Sequence, residues 1–306
     1  MRIGYPCINR STGCTPSTTF RLASYSEERI RHTIEANIAC LRKILGYNTV
    51  HGLLFLRITS DLIPFASHPV CRFPWQEHFI SAFETLGDYI RDHQFRISFH
   101  PDQFVLINSP NAGVVDRSIR ELVYHVELLE LMGLDASSKI QIHIGGIYGD
   151  KGASTERFVS IYTRLDERIR RHLVIENDDH LYSTPDCLAI SRITGIPVVF
   201  DVFHHSLNNN GDLLEDILDP IAKTWRRNDG APMVDYSSQQ PGKRTGSHAE
   251  HIDAADFERF LPDIQVIDPD IMLEIKDKEK SALIALERAR NSPGLITGLT
   301  RPSERM

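Results

Sequence analysis

Residues 173–205 read LVIENDDHLYSTPDCLAISRITGIPVVFDVFHH. Two near-continuous apolar runs, 173–178 and 197–204, flank a segment that opens on Thr184-Pro185. That pair is a helix N-cap followed by proline at the first helical position. Apolar runs of this length, interrupted only near their ends, are strands buried on both faces. A strand, a helical crossover and a second strand make a parallel, right-handed unit.

The same alternation extends in both directions. Further strands are expected at 2–7, 53–59, 96–101, 139–145, 232–237 and 270–276. Amphipathic stretches lie between them. Ile30, Ile34, Ile38, Leu41 and Leu45 form one stripe at helical spacing within 26–45, and Phe79, Phe83, Leu86 and Ile90 form another within 75–90. The stretches 114–132, 155–169, 213–225 and 278–289 are similar, with helix starts suggested by Ser26-x-x-Arg29 and Ser154-x-x-Arg157. Eight strand–helix units predict an α/β fold, a single closed (β/α)8 TIM barrel over residues 1–290, with 291–306 as a loose tail.

Composition agrees with a soluble globular chain. Of the 306 residues, 41% are hydrophobic and 25% charged, and no apolar run approaches the ~20 residues that span a bilayer. The N-terminus, MRIGYPCINR, lacks the apolar region of a signal peptide. The five cysteines are scattered, with no CxxC pair, which argues against a disulfide framework and for a cytoplasmic location. The net charge of −7 excludes bulk electrostatic attraction as a route to nucleic acid, so any positive field must be local.

In this fold, function sits at the C-terminal ends of the strands. Those ends carry His100, His143, Glu176, Asp201, His204, His205, Asp235 and Glu274. The following loops add His68, His248 and His251. Glu176, Asp201 and Glu274 interrupt apolar strands, where an unpaired charge costs several kcal/mol. Converging carboxylates repel one another, and divalent cations relieve both penalties. Imidazole with carboxylate suits Zn²⁺ or Mn²⁺, with iron as an alternative. About nine of these side chains are potential ligands, with Asp235 among them as an oxygen donor, enough for two or three divalent ions with one carboxylate as a bridge. Ion clusters of this kind hydrolyse phosphodiesters. Glu176, Glu274, Asp201 and His143 are the expected catalytic groups. A serine nucleophile is not indicated, because no GxSxG elbow is present, and Cys7 reads as core.

The stretches RIGYPCIN, TTFRL, LRITSDLIPFASHP, FHPDQFVLINSP, IHIGG, VIENDD, VVFDVFHH, VDYSS and MLEIKDKEKSAL run from residue 2 to about 283. Together they resemble the UV damage endonuclease family, within a wider barrel group that includes metal-dependent abasic-site endonucleases and xylose isomerase. The resemblance implies a cluster of Mn²⁺ or Zn²⁺ held by His68, His100, His143, Glu176, Asp201, His204, His248 and Glu274. It implies nicking of UV-damaged double-stranded DNA immediately 5′ to a photoproduct, leaving a 3′-hydroxyl and a 5′-phosphate. In the family's strand-seven motif a lysine and a histidine serve the metals. Here those places hold Met233, a poor hard-metal ligand, and Asp235, an oxygen donor.

A Gln-Tyr wedge of the family reads Gln103-Phe104 here, and Tyr5 and Asn9 match positions lining its DNA groove. Arg10, Arg21, Arg57, Lys151, Lys243 and Arg244 are candidate partners of the DNA backbone. The alternatives are an abasic-site endonuclease, a sugar isomerase on the same barrel, and a non-catalytic damage-binding protein. No membrane partner is expected, and the chain is expected to be a monomer.

Overall fold

The computed structural model describes residues 1–292 and 294–298. Eight parallel strands close in sequence order into the barrel expected: β1 (Ile3–Pro6), β2 (Phe55–Ile58), β3 (Arg96–Phe99), β4 (Lys139–His143), β5 (Leu173–Glu176), β6 (Val198–Asp201), β7 (Met233–Tyr236) and β8 (Asp270–Leu273). β8 returns to β1 through Ile3 opposite Ile271. The helices are α1 (Glu27–His51), α2 (Trp75–His78), α3 (Ile80–Asp92), α4 (Ala112–Leu131), α5 (Lys151–Tyr162), α6 (Glu167–Arg170), α7 (Thr184–Thr194), α8 (Val202–Leu207), α9 (Leu214–Thr224), α10 (Ala254–Ile264) and α11 (Glu279–Arg288).

Strand periodicity builds the site. Side chains alternate between the two faces of each strand. Phe55, Val174, Val199, Met233 and Met272 pack with Trp225 into an apolar plug inside the barrel. Leu56, Ile175, Phe200, Val234 and Leu273, one residue on, belong to the outer core under the helices. Two residues beyond the plug, the same strands bring Arg57, Glu176, Asp201, Asp235 and Glu274 back to the inside. Met233 thus sits in the plug, below the rim. Below the plug, Asp270 faces Arg2 at 3.3 Å and Arg96 at 3.7 Å, and Lys139 holds Asp229 at 2.5 Å. The plug therefore separates a closed layer of ion pairs at the lower end from the polar cluster at the upper end.

Several local expectations are corrected. β6 stops at Asp201, whose carboxylate accepts the His204 backbone N–H at 2.7 Å and caps α8. His204 and His205 therefore stand on a helix, not on the strand. Ser154 lies inside α5, which Asp150 caps. Ser183 caps α7, which places Thr184 at the first helical position and Pro185 at the second. The 75–90 stretch breaks at Phe79 into α2 and α3, and 155–169 divides into α5 and α6. The helix α10 was not among the stretches named from periodicity. Cys14 and Cys40 form a disulfide with Cα atoms 5.9 Å apart, pinning the long loop after β1 to α1 and correcting the all-thiol expectation.

Residues 299–306 of the segment expected to be a loose tail, and Pro293, lie outside the described residues. Before them, Gly294 accepts a hydrogen bond from the Met1 amino group at 2.7 Å, and Ile296 donates to the Met1 carbonyl at 2.9 Å. No helix among the described residues is long and apolar enough to cross a membrane.

Ser26 does cap α1, its hydroxyl accepting the Arg29 N–H at 3.2 Å. Ser26→Ala is expected to cost about 1 kcal/mol, a fall of about 2 °C in Tm by calorimetry. An unchanged Tm would show that Glu27 and Glu28 alone suffice to start the helix.

Candidate metal centre at the strand ends

Glu176, at the end of β5, is 1% exposed and lies at the middle of the cluster. Its Oε2 is 3.1 Å from His100 Nε2 and 3.7 Å from His143 Nε2. Its Oε1 is 3.0 Å from His204 Nδ1, which is also 3.4 Å from Asp201 Oδ2. Two donor groups result, His100–His143–Glu176 and Glu176–Asp201–His204, each with ligand atoms within 4.8 Å of one another. Glu176 belongs to both, which is the geometry of a bridge.

The neighbouring backbone fixes the imidazoles. His100 Nδ1 lies 3.1 Å from the Pro101 carbonyl, so it carries the proton and donates it there. Its Nε2 then turns a lone pair toward a Glu176 oxygen. In the absence of an ion a proton on Nε2 bridges this gap, burial opposing that charge and Glu176 outweighing it; in the neutral imidazole the same lone pair is free for a metal cation. Two donors bound at about 2.1 Å to one ion fall roughly 3 Å apart. His248 repeats the pattern, with Nδ1 2.9 Å from the Glu274 carbonyl and Nε2 3.9 Å from Glu274 Oε2. Asn177 braces the strand end. It donates to the Asp201 carbonyl, accepts the Asp201 N–H, and offers its own carbonyl to His204 Nδ1 at 3.1 Å.

Burial marks the same residues. Glu176 Oε1 and Asp201 Oδ2 are buried against the one imidazole of His204, and His143 Nδ1 is buried with no hydrogen bond among the described residues. Burial pushes Asp201 well above the carboxylate range, and Glu176, Glu274 and Asp235 reinforce this against His204. Burial disfavours the charged form of His204, but Asp201 and Glu176 outweigh it and push the imidazole up to about 11. The cluster is short of positive charge, and its donor set, imidazole with carboxylate, suits Zn²⁺ or Mn²⁺.

Not every expected ligand joins it. Asp235 is fully buried, but both its oxygens accept from Arg57 Nη2, at 2.9 and 2.8 Å. His68 sits on the loop after β2, its Nδ1 accepting the Val70 N–H at 3.1 Å, and lines a pocket of about 330 Å³ with Phe104. Neither belongs to the two donor groups. His205 turns away to Thr184 Oγ1 at 3.1 Å, and His251 pairs with Asp277 at 2.8 Å.

Two groups escaped sequence reasoning. Arg57 was read only as a candidate partner of the DNA backbone, yet it is 3% exposed and contacts Asp235, Glu274 and Gln141. Gln141 donates to Glu176 Oε2 at 2.5 Å and to Asp235 Oδ2 at 2.6 Å, linking the two halves of the cluster. The available signal was parity, because both lie at inward positions of their strands.

The expected DNA contacts divide likewise. Tyr5 and Asn9 are buried, which corrects their placement in an open groove. The Tyr5 hydroxyl donates to Asn48 Oδ1 at 2.6 Å and accepts from Asn9 Nδ2 at 2.8 Å. Lys151 is held by Asp186 at 2.6 Å. Gln103 and Phe104 form the exposed tip of the loop after β3, Phe104 being 74% exposed. Arg10 is exposed, with its Nε on the Lys276 carbonyl at 2.9 Å. Lys243 and Arg244 project from the loop after β7, whose carbonyls at these residues accept from Gln239 Nε2. Neither forms an ion pair among the described residues. The same loop carries His248 back to the rim through a bridge from Gln239.

The profile of the UV-endonuclease UvdE family matches residues 1–298. A UV DNA damage endonuclease of Clostridium perfringens is 37% identical over 285 residues, covering 92% of this chain and 69% of its own length. One from Bacillus cereus strain G9842 is 34% identical over 316 residues, covering 100% and 98%. The crystal structure of SacUVDE superposes with a TM-score of 0.91 at 45% identity, over 95% of this chain and 98% of that one.

Proposed function

The chain belongs to the UV-endonuclease UvdE family, and from that premise we propose that it is a DNA repair enzyme nicking duplex DNA immediately 5′ to UV photoproducts, pyrimidine dimers and 6-4 photoproducts alike. The products are a 3′-hydroxyl and a 5′-phosphate. The observation that carries the chemistry is Glu176, a buried carboxylate shared by two donor groups at the open end of the barrel. Divalent ions bound there, Mn²⁺ or Zn²⁺, would supply acidification of a water molecule and neutralisation of phosphate charge.

The chain's own groups do the rest. His100, His143 and Glu176 hold one position, and Glu176, Asp201 and His204 a second, with Glu274 Oε2 and His248 Nε2 beside it. Gln141 fixes the Glu176 carboxylate, as hydrogen-bonded partners behind a ligand commonly do. Ser60 donates to the His100 carbonyl at 3.2 Å and faces His125 Nε2 at 3.0 Å, which braces the end of β3. Lys243, Arg244 and Arg10 offer local positive charge to the DNA backbone on a chain of net charge −7. A bulky lesion already weakens stacking, so recognition can rest on deformability with little reading of base edges.

The test is direct. The protein loaded with Mn²⁺ is expected to nick UV-irradiated plasmid and spare unirradiated plasmid, with activity lost on chelation and restored by the metal. Intact irradiated plasmid at high enzyme concentration would overturn the reading. Equal cutting of undamaged DNA would overturn the lesion specificity.

A further inference from the structure

The upper layer of the lumen is not uniform. At one end Glu176 Oε1 and Asp201 Oδ2 face a single imidazole, that of His204, at 3.0 and 3.4 Å. At the other end both oxygens of Asp235 accept hydrogen bonds. Its Oδ1 accepts from Arg57 Nη2 at 2.9 Å, and its Oδ2 accepts from Arg57 Nη2 at 2.8 Å and from Gln141 Nε2 at 2.6 Å. Arg57 Nη1 meets Glu274 Oε1, and Nη2 also reaches Gln141 Oε1 at 3.0 Å. One guanidinium, reaching up from β2, therefore spans two carboxylates of β7 and β8.

We propose that Arg57 is a built-in cation that takes the place of a divalent ion at the Asp235–Glu274 end, so that this chain holds two ions and Asp235 is not a ligand. This rests on the rim being a metal centre. Guanidinium suits the task because it is charged at every physiological pH and its planar fork matches two carboxylates at once. With Arg57 opposite, the plug beneath and Gln141 at its side, both Asp235 oxygens face donors and its charge is already compensated by a guanidinium. Glu274 keeps Oε2 free, on the side facing His248, and so remains available to the second ion.

The measurement is the number of Mn²⁺ ions retained per chain. Metal-free protein is titrated with MnCl₂, dialysed and counted by elemental analysis, for the wild type, Asp235→Asn and Arg57→Met. Two ions are expected in the wild type and two in Asp235→Asn, with dissociation constants changed less than threefold. Arg57→Met, which leaves Asp235 and Glu274 uncompensated, is expected to take up a third. Three ions in the wild type overturn the proposal, as does loss of an ion in Asp235→Asn or an unchanged count in Arg57→Met. Should Arg57→Met not fold, the wild-type and Asp235→Asn counts decide alone. No ion retained by the wild type overturns the metal-centre reading itself and this proposal with it.

Discussion

Glu176→Ala is expected to abolish incision of irradiated DNA, with a loss of well over 100-fold, and to release metal. Outer partners of a metal ligand already cost about 10- to 100-fold in affinity or activity when removed, and a carboxylate common to two ions must exceed that. Glu176 stands opposite His100, His143 and His204, and it is the only residue belonging to both donor groups among the described residues. Burial opposes its ionisation, yet His143, His100 and His204 hold its carboxyl well below the usual range. It is therefore a carboxylate whenever the site is assembled. Glu176→Gln separates charge from packing, since it keeps the volume and a hydrogen-bonding oxygen while removing the charge. Both variants are expected to fold, to retain fewer ions than the wild type, and to leave irradiated plasmid uncut. Full activity with a full metal complement in Glu176→Ala would refute the bridging assignment.

How much of this site can be read from sequence follows from what each residue's neighbours are. Glu176, Asp201 and Glu274 are visible because a carboxylate at an inward position of an apolar strand has no inexpensive explanation. Arg57 and Gln141 hide in the same alternation. A single polar residue in LRI or KIQIH says nothing about a partner on the far side of a lumen, since Arg57 meets Asp235 across 178 residues of chain. The strand reading of 197–204 missed α8 for a local reason. Asp201 is both a ligand candidate and a helix cap, and only the hydrogen bond to the His204 N–H distinguishes these roles. Tyr5 and Asn9 were misplaced because the polar group that draws the Tyr5 hydroxyl inward, Asn48, comes from the far end of α1. The barrel itself was legible because eight apolar runs separated by helical periodicity admit few alternatives. Strand ends were overestimated because the polar residues that close each run, His100 after β3 and Asn177 and Asp178 after β5, were counted with the strand although the ladder stops before them.

The double change Gln103→Ala, Phe104→Ala is expected to lower incision at a photoproduct about 100-fold while leaving Tm and metal content unchanged. The loop that bears them is anchored on both sides of its tip. His100 directly follows β3, Val105 donates to the Asp102 carbonyl at 2.9 Å, and Leu106 donates to Ser118 Oγ at 2.8 Å. Gln103 overlooks a pocket of about 220 Å³ lined by His100 and His143, whereas Phe104 overlooks the one beside His68. An isolated exposed aromatic is unremarkable on most surfaces. This one stands on a braced tip a few residues from the donor cluster, where it contributes nothing to the core. Stacking of a base on such a ring contributes about 1–3 kcal/mol, a factor of roughly 10 to 100, and requires only a flat apolar face. Phe104→Tyr is thus expected to retain most activity, and Phe104→Ala alone to account for most of the loss. Binding to undamaged duplex draws on phosphate contacts from residues such as Lys243 and Arg244, so its salt dependence is expected to be the same in the variant. Irradiated and undamaged oligonucleotides compared in one titration separate the two effects. A variant that cuts irradiated DNA as fast as the wild type would show that lesion recognition lies elsewhere on the rim.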